Sequence, residues 1–103
     1  MSGNLYMNIG SIAVQRNEID EAERMFSKAK DVFSNIVYPE GAAKLYANYG
    51  LLYVRKGNLS SAKDYFEKAI KGFLKLDNVE AARNVEGMLN ILNRHGETPT
   101  SQQ

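Results

Sequence analysis

Cysteine is missing from the 103 residues, which excludes a disulfide framework, a thiolate nucleophile and any sulfur-ligated metal. Long apolar runs are missing too: nothing approaches the roughly 18 residues that mark a membrane-spanning helix. The opening from Met1 to Met7 has neither the basic start nor the apolar core of a signal peptide. A cytoplasmic setting and no membrane partner are therefore expected, and Asn58-Leu59-Ser60, formally a glycosylation acceptor, is read as coincidence. An excess of one charge is also lacking. Thirteen basic residues face twelve acidic ones, for a net charge of +1, so no broad field draws DNA, RNA or anionic lipid.

Catalytic groups are equally sparse. His95 is the only histidine, and beside Arg94 at a helix end it suits capping, because a helix C-terminus favours positive charge. The serines Ser11, Ser27, Ser34, Ser60 and Ser61 have no adjacent base and no strand-to-helix elbow. Glu18, Asp20, Glu21 and Glu23 cluster without His or Cys and read as a solvated helix start. Gly41, Gly50 and Gly57 are too widely spaced for a phosphate loop. No enzyme activity, metal or cofactor is expected.

What is present is a repeat. Offset by 40 residues, Leu5, Tyr6, Asn8, Gly10 and Val14 fall on Leu45, Tyr46, Asn48, Gly50 and Val54; Ala22, Phe26, Lys28, Ala29 and Phe33 fall on Ala62, Phe66, Lys68, Ala69 and Phe73. Ten identities over the positions from 5 to 33 exceed chance several-fold, and a period in this range marks stacked supersecondary units. With 44% hydrophobic and 24% charged residues, the chain has the balance of one folded domain with a thin core.

Each unit reads as two amphipathic helices. Tyr6, Ile9, Gly10, Ala13 and Val14 recur at three and four; after Arg16-Asn17-Glu18 a second stripe runs from Ile19 through Ala22, Met25, Phe26, Ala29, Val32 and Phe33 to Ile36 and Val37. Two such helices on a short turn lie antiparallel. Tyr38-Pro39 marks a boundary, since proline suits a first helical turn. Helix three carries Ala42, Leu45, Tyr46, Tyr49, Gly50, Leu52 and Tyr53 and ends at Gly57-Asn58. Ser60 suits an N-cap, and helix four runs through Ala62, Phe66, Ala69 and Phe73 to Asp77-Asn78. A fifth helix over residues 79–94, ended by Gly96, closes the stack, and residues 96–103, too polar and too short to pack, are expected to form a disordered tail. The expectation is an all-α, antiparallel helix-hairpin solenoid of five helices over residues 1–95, with units 3–38, 39–77 and a single terminal helix.

Gly10 and Gly50 sit inside helices, where glycine costs about 1 kcal/mol relative to alanine; close approach of a neighbouring helix offsets that cost. Ala22, Ala29, Ala62 and Ala69 give the same room from the second helix of each pair, and Phe26 and Phe66 fill it. This pattern of Tyr6, Ile9-Gly10, Ala13, Ala22, Phe26 and Ala29, then Tyr46, Tyr49-Gly50, Tyr53, Gly57, Ala62, Phe66 and Ala69, resembles the tetratricopeptide repeat family. The usual period there is 34 residues; here the glycines are spaced 40 and 37 apart, which lengthens the second helix of each pair.

The resemblance implies a module that binds a protein or peptide on the concave face formed by the first helix of each pair. Carried onto this sequence, the contact positions give Asn4, Met7, Ser11, Lys44, Ala47, Asn48, Leu51, Arg55, Asn84 and Met88, with Val14, Gln15, Val54, Ala81, Ile91 and Leu92 in the same set. Met7 and Ser11 stand where carboxylate-clamping members carry lysine and asparagine, so no such clamp is expected. The implied partner has an apolar stripe that meets Met7, Ala47, Leu51 and Met88 within a polar rim. Leu51 and Met88 equally suit contacts between helices. If they face the partner, aspartate at both abolishes binding without unfolding the chain.

Two alternatives remain at this stage. Met88, Leu89, Ile91 and Leu92 ring helix five, which suggests self-association as a homodimer or membership of a longer array. Lys44, Arg55, Lys56, Lys63, Lys68, Lys71 and Lys75 near Tyr49 and Tyr53 allow an RNA-binding repeat, but interleaved acids favour helix-surface pairs such as Asp64–Lys68 and Glu67–Lys71.

Overall fold

The computed structural model describes residues 2–34 and 38–101, with side chains described as far as residue 94. Five helices follow one another, α1 (Gly3–Gln15), α2 (Ile19–Ser34), α3 (Pro39–Arg55), α4 (Leu59–Lys75) and α5 (Val79–Ser101), and there is no strand among the described residues. Ile36 and Val37, assigned above to the second helix, lie outside the described residues. The fifth helix passes Gly96, the expected stop, and continues to Ser101.

Local chemistry fixes the helix ends. The Ser2 hydroxyl accepts from the Leu5 amide at 3.1 Å, and the Asn58 and Asn78 carbonyls accept from the amides of Ser61 and Ala81. Asn58, not Ser60, therefore caps α4, because Ser60 already lies inside the helix. Pro39 opens α3 as its first residue. Three turns share one backbone design: Asn17, Gly57 and Asp77 all have φ between 59° and 81°. The amides of the next residues, Glu18, Asn58 and Asn78, reach back to the carbonyls of Ala13, Tyr53 and Phe73 at 2.8–2.9 Å. This is the hydrogen bonding that closes a helix through a left-handed residue. Only Gly57 takes that conformation without penalty. Asp77→Gly should therefore raise stability by about 0.5 kcal/mol, the left-handed penalty relieved less the backbone freedom that glycine adds to the unfolded chain; urea denaturation reads it.

Packing follows the repeat. α1 lies on α2 and α3 on α4, with α2 against α3, α1 against α3, and α5 against α4. The first helices form one layer and α2 and α4 the other, so the molecule measures 50 × 32 × 17 Å, about two helices thick. Two core clusters result. One gathers Met7, Ala13, Val14, Ala22, Phe26, Ala29, Leu45 and Leu52; the other gathers Ala43, Ala62, Phe66, Ala69, Phe73, Ala82, Val85 and Leu92. Phe26, Phe66 and Leu52 are the largest fully buried side chains.

The glycine notches are filled as the pattern requires. A Cβ on Gly10 would lie 2.6 Å from Phe26 Cε1, and one on Gly50 would lie 2.5 Å from Phe66 Cδ1. Phe33 occupies a further notch between Gly3 and Gly41, which the 40-residue offset does not reveal. Gly87 differs, because a Cβ there would meet nothing within 4 Å. The positions on α5 that correspond to Tyr46, Tyr49 and Tyr53 are Arg83, Glu86 and Asn90, all exposed. The outer face of α5 is thus polar. Of its apolar residues Ala82, Val85 and Leu92 are buried and Met88 and Leu89 are half-buried against the second cluster, leaving Val79 and Ile91 exposed. The apolar ring that suggested self-association is therefore mostly turned inward.

Candidate partner-binding groove

The layer of first helices leaves two adjoining hollows. The first, about 380 Å³, lies between α1, α3 and α5 and is lined by Asn4, Met7, Asn8, Lys44, Ala47, Asn48, Phe73, Ala81, Asn84 and Val85. The second, about 440 Å³, is lined by Ser11, Val14, Gln15, Asn48, Leu51, Val54 and Arg55. Asn48 lines both, so the two hollows adjoin there, and together they are the candidate groove. Nine of the ten site residues named from sequence line it; Met88 does not.

Side chains in the groove divide into floor and rim. Met7 is only 4% exposed, so it supplies floor and not an adaptable contact; the Asn48 amide donates to its sulfur at 3.7 Å. Leu51 packs on both core clusters and Met88 on the second. Both stay half-buried, so aspartate at Leu51 and Met88 would cost stability as well as any contact with a partner. The rim is exposed Asn4, Asn8, Lys44, Arg55 and Asn84. Asn4 donates weakly to the Tyr38 hydroxyl at 3.5 Å, and Lys44 pairs with Glu40 at 3.3 Å on an exposed helix face, a contact worth a few tenths of a kcal/mol. Asn8 was not named as a site residue, although its identity with Asn48 across the repeat pointed to a matched amide.

Chemically the groove offers amides above an apolar floor. Four asparagines, each with two N–H donors and a carbonyl acceptor, surround Ala47, Phe73 and Val85, and no carboxylate among the described residues lines either hollow. Such amides match the alternating donors and acceptors of a peptide backbone. Among the described residues no group of three His, Cys, Asp or Glu is placed to hold a metal, and no helix is long and apolar enough to cross a membrane.

The tyrosines cluster away from the groove, where α3 meets α4. Tyr49 stacks on Tyr65 at 5.2 Å, Tyr53 stacks on Tyr65 at 5.4 Å, and Tyr49 tilts against Phe26 at 5.5 Å. Lys56 and Lys68 sit over these rings, while Lys44 and Arg55 belong to the groove. Four of the basic residues that suggested RNA are therefore divided between the groove and the tyrosine cluster. Ion pairs also differ from the expected ones: Glu21–Arg24, Glu40–Lys44 and Glu23–Lys56 form, whereas Asp64–Lys68 and Glu67–Lys71 do not. The hydrogen bond that the Lys56 ammonium donates to the Glu23 carboxylate holds that ammonium above its usual range.

Burial, reinforced by the neighbouring phenols of Tyr65 and Tyr53 and then by Asp31 and Glu23, pushes the Tyr49 hydroxyl up to about 12. Burial likewise raises Tyr65. An unfolded tyrosine ionises near 10, so the stability that neutral Tyr49 contributes is complete below about pH 10 and is lost as the pH climbs to about 12. Tyr49→Phe should flatten the fall in stability across that window. Denaturant midpoints measured at stepped alkaline pH, with phenolate absorbance followed in parallel, check this.

The tetratricopeptide repeat family model matches residues 2–75, both complete helix pairs. Neither a curated protein nor a solved structure matches the chain. Such repeats are non-catalytic scaffolds for protein–protein interaction. Glycine notches filled by phenylalanine in two successive hairpins, a two-layer stack, and the match over most of the sequence together show that this chain belongs to the tetratricopeptide repeat family.

Proposed function

We propose that the concave groove holds an extended segment of a partner protein, with the asparagine amides reading its backbone and the apolar floor taking small apolar side chains. The observation that carries this reading is the meeting of the two hollows at Asn48, with amides on both sides of a floor free of carboxylates among the described residues. Lys44 and Arg55 are the charged groups of the lining, so the preferred segment is neutral or mildly acidic. An extended peptide satisfies the amides along its length, as in other backbone-read peptide complexes. A homodimer is a weaker reading, because the outer face of α5 is polar at Arg83, Glu86 and Asn90.

The test is selection of a displayed random peptide library against the folded chain, followed by titration of the selected peptides. Asn8 and Asn84 are exposed, so alanine at both leaves the core untouched. Peptides that bind this double variant as tightly as the unaltered chain would reject the groove.

A further inference from the structure

On the side opposite the groove, α2, α3 and α4 enclose a third hollow of about 340 Å³. It shares no lining residue with the groove. Tyr46, Tyr49 and Tyr65 wall it, and Lys30 and Lys68 reach it from α2 and α4. We infer that this hollow is a separate binding site for a small planar aromatic anion, the ring lying against the tyrosines and the charge held by Lys30 and Lys68.

Size, wall and charge agree. An apolar cavity of about 150 Å³ accommodates a benzene ring, so this hollow has room for a ring with a charged substituent, and its volume falls in the usual range for small-ligand sites. The wall is aromatic and already ordered: Tyr49 and Tyr65 stack at 5.2 Å with 23° between ring planes, and Tyr46 stands 6.2 Å from Tyr65. Offset stacking on such a wall favours a flat guest.

The cations are available. The Lys68 ammonium lies 5.7 Å from the Tyr46 ring centre and 5.5 Å from that of Tyr65. Neither Lys30 nor Lys68 forms an ion pair among the described residues, and the hollow has no carboxylate in its lining. Asp64, four residues before Lys68, lines a smaller hollow with Tyr65 and Lys68 yet makes no bond to that lysine. A bare anion would leave the tyrosine wall unused, and a neutral ring would leave the lysines unused. Burial raises the hydroxyls of Tyr49 and Tyr65, which therefore remain hydrogen-bond donors.

Phenyl phosphate is the probe, with inorganic phosphate and phenol as its two halves. Titration into the isotope-labelled chain, followed by amide chemical shifts, should give saturable changes around Tyr46, Tyr65 and Lys68 with a Kd of about 1 mM or tighter. Each half alone should bind at least about tenfold more weakly, and Lys30→Gln combined with Lys68→Gln should weaken phenyl phosphate by about tenfold or more. Both lysines are exposed, so the variant keeps its helical circular dichroism. The absence of saturable shifts, an equal response to inorganic phosphate, changes centred on the groove asparagines, or undiminished binding by the lysine variant would each overturn the proposal.

Discussion

Alanine at position 50 should destabilise the fold by about 2 kcal/mol, whereas alanine at position 87 should stabilise it by about 0.8 kcal/mol. Both glycines sit inside helices at corresponding places in their units, so helix propensity favours alanine equally at each. The difference lies in what the new methyl group meets. At Gly50 it would stand 2.5 Å from Phe66 Cδ1, and Phe66 is 1% exposed with no free direction in which to move. Overpacking of this kind costs about 3 kcal/mol at its upper range, which outweighs the propensity gain of about 1 kcal/mol. At Gly87 nothing lies within 4 Å, and only the propensity term remains. Denaturant unfolding of the two single variants measures both. Phe66→Ala supplies the control: alone it should cost about 3–5 kcal/mol, and in its background Gly50→Ala should lose its penalty. Against a total stability of about 5–15 kcal/mol, these are large effects.

Alanine at both Asn8 and Asn84 should weaken a groove-selected peptide by about thirtyfold. Each amide that exchanges water for a peptide group contributes about 1 kcal/mol net, and each 1.4 kcal/mol is tenfold in affinity. The two positions stand on α1 and α5, on opposite sides of the first hollow, so one bound segment has to span both to lose both contributions. Since neither residue belongs to a core cluster, thermal unfolding should be unchanged within about 0.5 kcal/mol. Isothermal titration of the peptide into the two proteins separates affinity from folding. A single-residue variant at Asn8 should show about fivefold of the loss if the contributions add.

Most of the fold was legible because its determinants are local or recur at a fixed offset. Alternation of Gly10 with Phe26 and of Gly50 with Phe66 could be read from the matched halves, and the contacts form at those pairs. The cradle of Gly3 and Gly41 around Phe33 was not legible, since those glycines fall outside the 40-residue match and meet only through tertiary packing. Lys68 shows the limit of neighbour rules. Spacing along α4 assigned it to Asp64, whereas two ring faces, one contributed by α3, hold it instead. Burial also divided residues that the family pattern treats alike. Met7 became floor, Leu51 and Met88 became packing, and Asn8, with no apolar surface to hide, stayed on the rim. The third unit kept its glycine but replaced the surrounding tyrosines with Arg83, Glu86 and Asn90, so the notch at Gly87 faces outward.

Amide chemical-shift mapping of a library-selected peptide on the isotope-labelled chain tests the groove directly. The perturbed side-chain and backbone amides should be those of Asn4, Asn8, Asn48 and Asn84, with Tyr65 and Lys68 on α4 unchanged. Perturbations concentrated on α2 and α4, with the four asparagines silent, would contradict it.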